Sequence, residues 1–344
     1  MEFTASGRLE IRISGSDLGK RVSVRRLDDP GDGTGGFTDT VGVLTSWDEG
    51  VLTVTRRTGE SVRIAESSLV AGKVVPPAPA RRRGPAAGWE ELTRVAARAW
   101  PPVESAALGA WTLRGAGGFT RRANSALALG DPGLPLDGAL DAVRSWYAAR
   151  GLPAYVQLAT GAEDSQEARC LALERRGWMR EVTAGVWTGA LARVADADAP
   201  DADLVHLGRA VDDGWLARYQ RSREPGPEVR RVLAGGPSVW FAAVPGDGAS
   251  GGAPAAIGRC VVDGRWAGFM AVEVAPEQRR RGLATAVMAA LARRALDEGA
   301  SAAWLQVEAD NQAAQALYGR LGFAVHHHYH HFSDRSFRPS EAGR

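Results

Sequence analysis

The chain has 344 residues, more than one ordinary core needs, so two or three compact units are expected. Its hydrophobic fraction is 44%, and no apolar run is long enough to cross a bilayer as a helix, which argues against a helical membrane protein. A net charge of +2, from 42 basic and 40 acidic residues, leaves no overall field to attract a polyanion, so a nucleic-acid partner is not expected.

The opening MEFTASGRLE lacks the basic-then-apolar layout of a secretion signal, and a cytoplasmic location is the expectation. Lys20 and Lys73 are the only lysines; with Ala and Gly abundant, this bias reflects a GC-rich bacterial coding genome. Cys170 and Cys260 lie far apart, make no metal-ligand or CxxC spacing, and read as buried reduced thiols.

Residues 1–75 read as short strands, at Arg21–Arg25, Thr40–Leu44, Val51–Arg56 and Ser61–Ile64, with turns at 48–50 and 58–60. A small antiparallel β-barrel is expected, with Trp47 as its lone tryptophan. Residues 76–88 (PPAPARRRGPAAG) have no apolar period and read as an extended linker. Residues 89–192 mix helices at Leu92–Trp100 and Leu140–Arg150 with strands at 111–114 and 155–158. A second linker, Arg193–Asp203 (RVADADAPDAD), is acidic and poor in core-forming residues. Residues 203–333 repeat the mixed plan, with a strand at Ser238–Val244 and a hairpin of Ala256–Val262 and Trp266–Val274 turning at Asp263-Gly264. Residues 334–344 read as a tail. The fold class expected is α/β.

The chemistry concentrates between Phe269 and Phe323. A strand ends at Ala275-Pro276, a basic loop delivers Arg279, Arg280 and Arg281, and a helix begins near Gly282. Leu283, Val287, Met288, Leu291 and Ala295 form one apolar stripe, and Gly299 stops the helix. A helix N-terminus carries free N–H groups and a positive dipole end, which together make an anion seat. Gly282 and Ala284 let a phosphate approach the backbone, although the Walker pattern is absent. After a strand at Ala303–Val307, Asn311 is placed to cap a helix whose face carries Ala314, Leu317, Tyr318 and Leu321, with Gly322 as its terminator.

These two stretches resemble the GNAT acyltransferase superfamily. Arg279-Arg280-Arg281-Gly282-Leu283-Ala284 matches its [QR]-x-x-G-x-[GA] acyl-CoA signature, and Asn311 to Phe323 matches its Asn-x-x-Ala-x-x-Leu-Tyr-x-x-Leu-Gly-Phe signature without a gap. The resemblance implies an N-acetyltransferase in which an amine attacks acetyl-CoA directly in a ternary complex, with no metal. Val272 and Val274 would bond the pantetheine arm, and Arg279 to Thr285 (including Leu283 and Ala284) would hold the pyrophosphate. Tyr318 is implied as the general acid, since a phenol with an ordinary pKa near ~10 is protonated at neutral pH. Asn311 either bonds the cofactor arm or only caps its helix. Glu273 is the candidate base, or a solvent-facing strand residue.

Leu173-Glu-Arg-Arg-Gly177-Trp178 echoes Leu317–Phe323 with no phenol at the matching place and no acyl-CoA signature ahead of it. Residues 89–192 therefore resemble a degenerate GNAT copy, and residues 1–75 an SH3-like barrel, in a layout similar to mycothiol synthase-type tandem members. Residues 117–125 are polar enough to line an acceptor cleft, or form an inter-strand loop capped by Asn124. The run His326-His327-His328-Tyr329-His330-His331 reads as a final strand rather than a metal site. Two other readings stand beside the enzyme: a non-catalytic acyl-CoA sensor, and a nucleic-acid-associated protein acting through the barrel and Arg81–Arg83. Nothing in the sequence selects the acceptor amine or an oligomeric state.

Overall fold

A computed structural model describes residues 10–27, 36–76, 85–219, 226–246 and 252–334; the Arg81–Arg83 tract and the tail beyond Asp334 lie outside them. Contacts divide the chain into two compact units, one of Met1–Arg81 with Leu158–Trp178 and one of Arg82–Gln157 with Met179–Arg344.

The chain opens with β1 (Ile11–Arg12), β2 (Arg21–Leu27), β3 (Phe37–Asp48), β4 (Val51–Thr55), β5 (Ser61–Ala65) and β6 (Leu69–Val74). These form one sheet in the order β1-β6-β2-β3-β4-β5, burying Val22, Val24, Leu44, Leu52, Val54 and Ile64. The expected barrel is not closed: among the described residues no pairing joins β1 to β5. β1 is only two residues long and is engaged in parallel by β6, while β5 pairs with β4 alone. Bulges at Arg25/Arg26 and Leu44/Ser46 bend the sheet over its apolar face.

The remaining elements are α1 (Trp89–Ala99), β7 (Glu104–Leu108), β8 (Trp111–Gly115), β9 (Ala126–Leu127), α2 (Leu136–Ala148), β10 (Tyr155–Thr160), α3 (Glu167–Glu174), β11 (Trp178–Ala190) and α4 (Leu191–Ala195). They continue as β12 (His206–Gly208), α5 (Asp213–Arg218), α6 (Pro227–Ala234), β13 (Ser238–Val244), β14 (Ala256–Asp263), β15 (Trp266–Val274), α7 (Leu283–Asp297), β16 (Ala302–Glu308), α8 (Gln312–Arg320) and β17 (Ala324–Asp334). Their strands make one sheet in the order β12-β13-β14-β15-β16-β11-β17-β10-β9-β8-β7. β11 lies between β16 and β17, paired antiparallel with β16 from Ala184↔Glu308 to Ala190↔Ala302. The last strand of residues 89–192 is thus built into the sheet of residues 203–333.

Period-two alternation sorts this sheet's side chains to two cores. Ile257, Val261, Trp266 and Trp304 pack with α1, α5 and α6 on one face. Ala256, Cys260, Phe269 and Leu305 pack with α4 and α7 on the other. Gly258 lets α7 lie close across β14, since a Cβ there would sit 2.4 Å from Val287 Cγ1. The Arg193–Asp203 stretch is not the exposed linker its composition suggests. Val194 and Ala195 are buried in the second core, because small residues suffice where α4 packs on α7, and Ala202 is buried as well.

Arg259 is fully buried in β14 and donates to Leu233 O at 2.6 Å, Gly235 O at 2.6 Å and Ala99 O at 2.9 Å. Its guanidinium so satisfies the last carbonyls of both α6 and α1, where a cation also suits the helix dipoles. Burial pulls it down to about 9, still charged at neutral pH. Arg259→Met should leave three carbonyls without a donor and lower unfolding stability by about 3 kcal/mol or more, measured as a shifted urea midpoint.

Candidate active site

β15 and β16 run parallel and pair from Trp266↔Ala302 to Phe269↔Leu305, where pairing stops. The cause is on β15's other edge. Arg259 faces Met270 but Ile257 faces Glu273, so β15 has one residue more than β14 over this step. Ala271 takes up the surplus at φ 52°, a bulge that bends the strand away from β16. Consecutive Met270 and Ala271 consequently pack on the same face, with the core of α1, α5 and α6. Val272 and Val274 pack on the α7 side, and Glu273 points the other way, half-buried. Ala275 N–H bonds Ala255 O at 2.8 Å, and ladder bonds alternate along an antiparallel strand, so the N–H of Val274 is directed from β14 toward the gap beside β16.

Past Ala275 a short 3-10 turn (Pro276–Gln278) leads into the basic loop. Arg279, Arg280, Arg281 and Gly282 are all exposed. Arg280 and Gly282 take left-handed backbone, at φ 65° and 86°. A Cβ at Gly282 would meet nothing within 4 Å, so the approach to this backbone is open. No side chain caps α7, and its first helical bond is Ala286 N–H to Gly282 O at 3.0 Å. The amides of Leu283, Ala284 and Thr285 therefore have no partner inside the helix and face the loop with the dipole behind them. This donor set suits a diphosphate. Gln278 accepts from Arg281, which steadies one of the three guanidinium groups.

Asn311 caps α8, accepting from Ala314 N–H at 3.0 Å. The far end closes by the paired bonds of a Schellman motif: Gly322 N–H to Gly319 O at 3.1 Å, and Phe323 N–H to Tyr318 O at 3.0 Å, with Gly322 at φ 91°. Tyr318 and Phe323 are thereby locked together, their ring centroids 6.0 Å apart, and Phe323 lies against Phe269 at 6.4 Å. Tyr318 is half-buried on the same core as Val272 and Val274. In α3 the corresponding place is Leu173, fully buried.

A half-open cleft of about 150 Å³ adjoins the end of β16, lined by Trp100, Arg122, Tyr219, Glu308, Tyr329 and His331, with Phe119, Thr120, Arg121 and Val182 completing it. The polar 117–125 loop reaches it because Asn124, nearly fully buried, ties the loop into a knot. Its Oδ1 accepts from Ala116 and Gly118 N–H, and its Nδ2 donates to Phe119 and Thr120 O. Capping and cleft-lining are both true of this loop. Arg122 belongs to the 117–125 loop that the sequence offers as a cleft lining, but its meeting with Tyr329 and His331 is not foreseen there: it stands more than 200 positions before them, and no local pattern joins it to β17.

In β17 the histidines do not sort into one buried and one open face; His327, His330 and His331 are all buried, since this strand is interior to the sheet. Among the described residues no group of three or more His, Cys, Asp or Glu is arranged to hold a metal ion. Burial pushes the Cys260 thiol up to about 12.

The fold thus sets a parallel pair of strands that opens, a basic loop, an uncapped helix and a tyrosine-bearing helix on one side of the sheet. Residues 88–332 match the family described as "Probable histone acetyltransferase Rv0428c C-terminal", and the chain belongs to this family. The "Probable histone acetyltransferase Rv0428c" of Mycobacterium tuberculosis is 30% identical over 327 residues, 92% of this chain and 95% of that protein. The "Uncharacterized N-acetyltransferase YobR" of Bacillus subtilis is 27% identical over 249 residues, 70% of this chain and 96% of that protein. A solved GCN5-related N-acetyltransferase from Kribbella flavida shares the fold, with TM-score 0.50, 17% identity, and coverage of 71% of this chain and 95% of that one. Family membership sets aside the non-catalytic sensor.

The bulge has a direct test. Ala271→Gly should hold stability within about 1 kcal/mol, because glycine accepts the left-handed region at an entropic cost of similar size. Ala271→Val should lower it by about 1–3 kcal/mol, since a β-branched residue is strained there. Paired urea titrations of the two variants check this; equal midpoints would count against the bulge.

Proposed function

We propose that this acetyltransferase uses acetyl-CoA as acyl donor and an amine as acceptor, by direct attack in a ternary complex formed on residues 203–333. The observation that carries the reading is the uncapped start of α7, opening at Gly282 beside the gap between β15 and β16. Arg279, Arg280, Arg281 and the amides of Gly282, Leu283, Ala284 and Thr285 hold the diphosphate. The backbone of Val272 and Val274 bonds the pantetheine arm, and the Val274 N–H polarises the thioester carbonyl. Tyr318 Oη gives its proton to the departing thiolate. Asn311 works as a cap, its side-chain oxygen already accepting from Ala314. Glu273 shares the acceptor-side face of β15 and receives the ammonium proton, directly or through water. Acetyl-CoA would supply the thioester whose C–S bond breaks as the amide forms, releasing CoA as the thiol.

In this reading residues 1–75 form a separate β-sheet module with a docking or structural role, 76–88 a linker, 89–192 a degenerate copy without a donor site, and 203–333 the catalytic copy. The molecule acts in the cytoplasm, with a small-molecule or peptide amine as partner. The histone named in the relative's description makes a protein lysine one acceptor to include.

Gly282→Glu should abolish measurable acetyl-CoA binding by calorimetry while the unliganded melting temperature moves by only a few degrees, because the site is open and the new carboxylate repels the diphosphate. Undiminished binding would remove α7 from the donor site.

Tyr318→Phe should keep acetyl-CoA affinity and lower kcat by about 100-fold or more in a free-CoA release assay across an amine panel. Unchanged turnover would take Tyr318 out of the mechanism.

A further inference from the structure

The cleft beside β16 has a chemistry of its own that bears on the acceptor. Arg122 bonds the protein through one nitrogen only: its Nε donates to Gln306 Oε1 at 2.7 Å. Its guanidinium carbon lies 5.8 Å from the ring centres of both Trp100 and Tyr329, which hold the plane between them. Among the described residues no carboxylate pairs with it. Arg121 next to it is already committed, to Glu181 at 3.0 Å and over the Tyr155 ring at 5.1 Å.

His331 faces the same cleft and is only 2% exposed, yet neither of its ring nitrogens has a hydrogen-bond partner. Its neighbours are the edges of Tyr329 at 5.5 Å and Tyr155 at 6.5 Å. A buried imidazole left unbonded costs about 1–3 kcal/mol, so a hydrogen-bonding group reaching it from the cleft would be stabilised there. Burial, and then the charges of Arg122, Arg114, Arg121 and His330, hold this imidazole far below its ordinary range. It is therefore neutral at pH 7 and presents one N–H and one lone pair. The charged groups about the cleft are thus Arg114, Arg121 and Arg122 against Glu181 and Glu308.

We propose that this cleft binds a carboxylate carried by the acceptor, gripped end-on by the two free terminal nitrogens of Arg122 and by the N–H of His331, so that the acceptor is a small amine bearing a carboxylate, an amino acid or its close relative. The planar guanidinium matches a carboxylate's two oxygens, whereas a lysine-rich tail would bring like charge against Arg121 and Arg122. Trp100, Phe119 and Tyr219 line the cleft as apolar walls for the acceptor's side chain. The inference rests on the acetyl-CoA reading, because the cleft is taken to open onto the donor gap at the end of β16.

The full chain saturated with free CoA, which cannot turn over, is titrated with a panel of α-amino acids, their α-amides and a lysine-rich peptide. Acids should bind about tenfold or more tighter than their own amides. Arg122→Gln should bring each acid to within about threefold of its amide while CoA affinity stays unchanged, and Arg122→Lys should restore part of the preference. His331→Phe should weaken acid binding about fivefold or more and leave amide binding alone. Amides or the peptide binding as well as the acids, or no acid binding at all to the CoA complex, would overturn the proposal. Failure to bind CoA in the first place would instead sink the donor reading beneath it.

Discussion

Between β14 and β15 the ladder must accommodate one more residue on β15 than on β14, and Ala271 absorbs it in the left-handed region. Both strands stay covered by helices, so the bend cannot relax outward; it opens the neighbouring seam, and β16 loses its partner beyond Leu305. The strain is comparable with the net worth of a hydrogen bond, and it sets where the sheet opens. Upstream of the bulge β15 and β16 hydrogen-bond to one another. Downstream, β15 no longer pairs with β16, and the start of α7 and Tyr318 of α8 lie on the same core as Val272 and Val274 there.

Two helix termini frame the gap and work in opposite senses. The start of α7 is left without a side-chain cap, and its loop twists through two left-handed residues to keep the first-turn amides clear. The ends of α8 are both capped, by Asn311 at one and by the bonds around Gly322 at the other. An open terminus is a ready anion seat, and a closed one is a rigid mount. Tyr318 benefits from the second: its carbonyl is fastened by Phe323 N–H, and its ring rests on the Phe323 side chain. The phenol is thereby held in place by the same bonds that end its helix.

Features decided within a few residues are legible in the sequence. Gly282, Gly299, Asn311 and Gly322 mark starts and stops by chemistry that needs no distant partner, and the strands at 238–244 and 266–274 follow from their apolar content. What the sequence does not disclose is decided at long range. The bulge at Ala271 depends on the register with β14, and nothing about an alanine between Met270 and Val272 announces a positive φ. The Arg193–Asp203 stretch looks too polar for a core because its composition hides that α4 needs only Leu191, Val194 and Ala195 to meet α7. The six N-terminal strands are individually evident, but whether a sheet closes is a matter of edge pairing that no single strand encodes. Likewise Arg122 and His331 become neighbours only once β17 is set beside β11.

That last placement also bears on why residues 89–192, with a leucine at Leu173 where the later helix has Tyr318, remain in the protein. β11 is the strand that continues the sheet past β16, so without it Gln306 and Glu308 would stand at an exposed edge. Arg122 reaches Gln306, Arg98 pairs with Asp263 at 2.6 Å, and Glu91 accepts from Trp266 Nε1 at 2.8 Å and from Arg265 at 2.9 Å. The Arg265 and Trp266 donors hold that Glu91 carboxyl below its ordinary range, although its side chain remains exposed. Arg259 adds the end of α1 to the same set. Residues 89–192 therefore carry structural weight through their contacts: β11 covers one edge of β16, and Trp100 with the 117–125 loop supplies one wall of the cleft there.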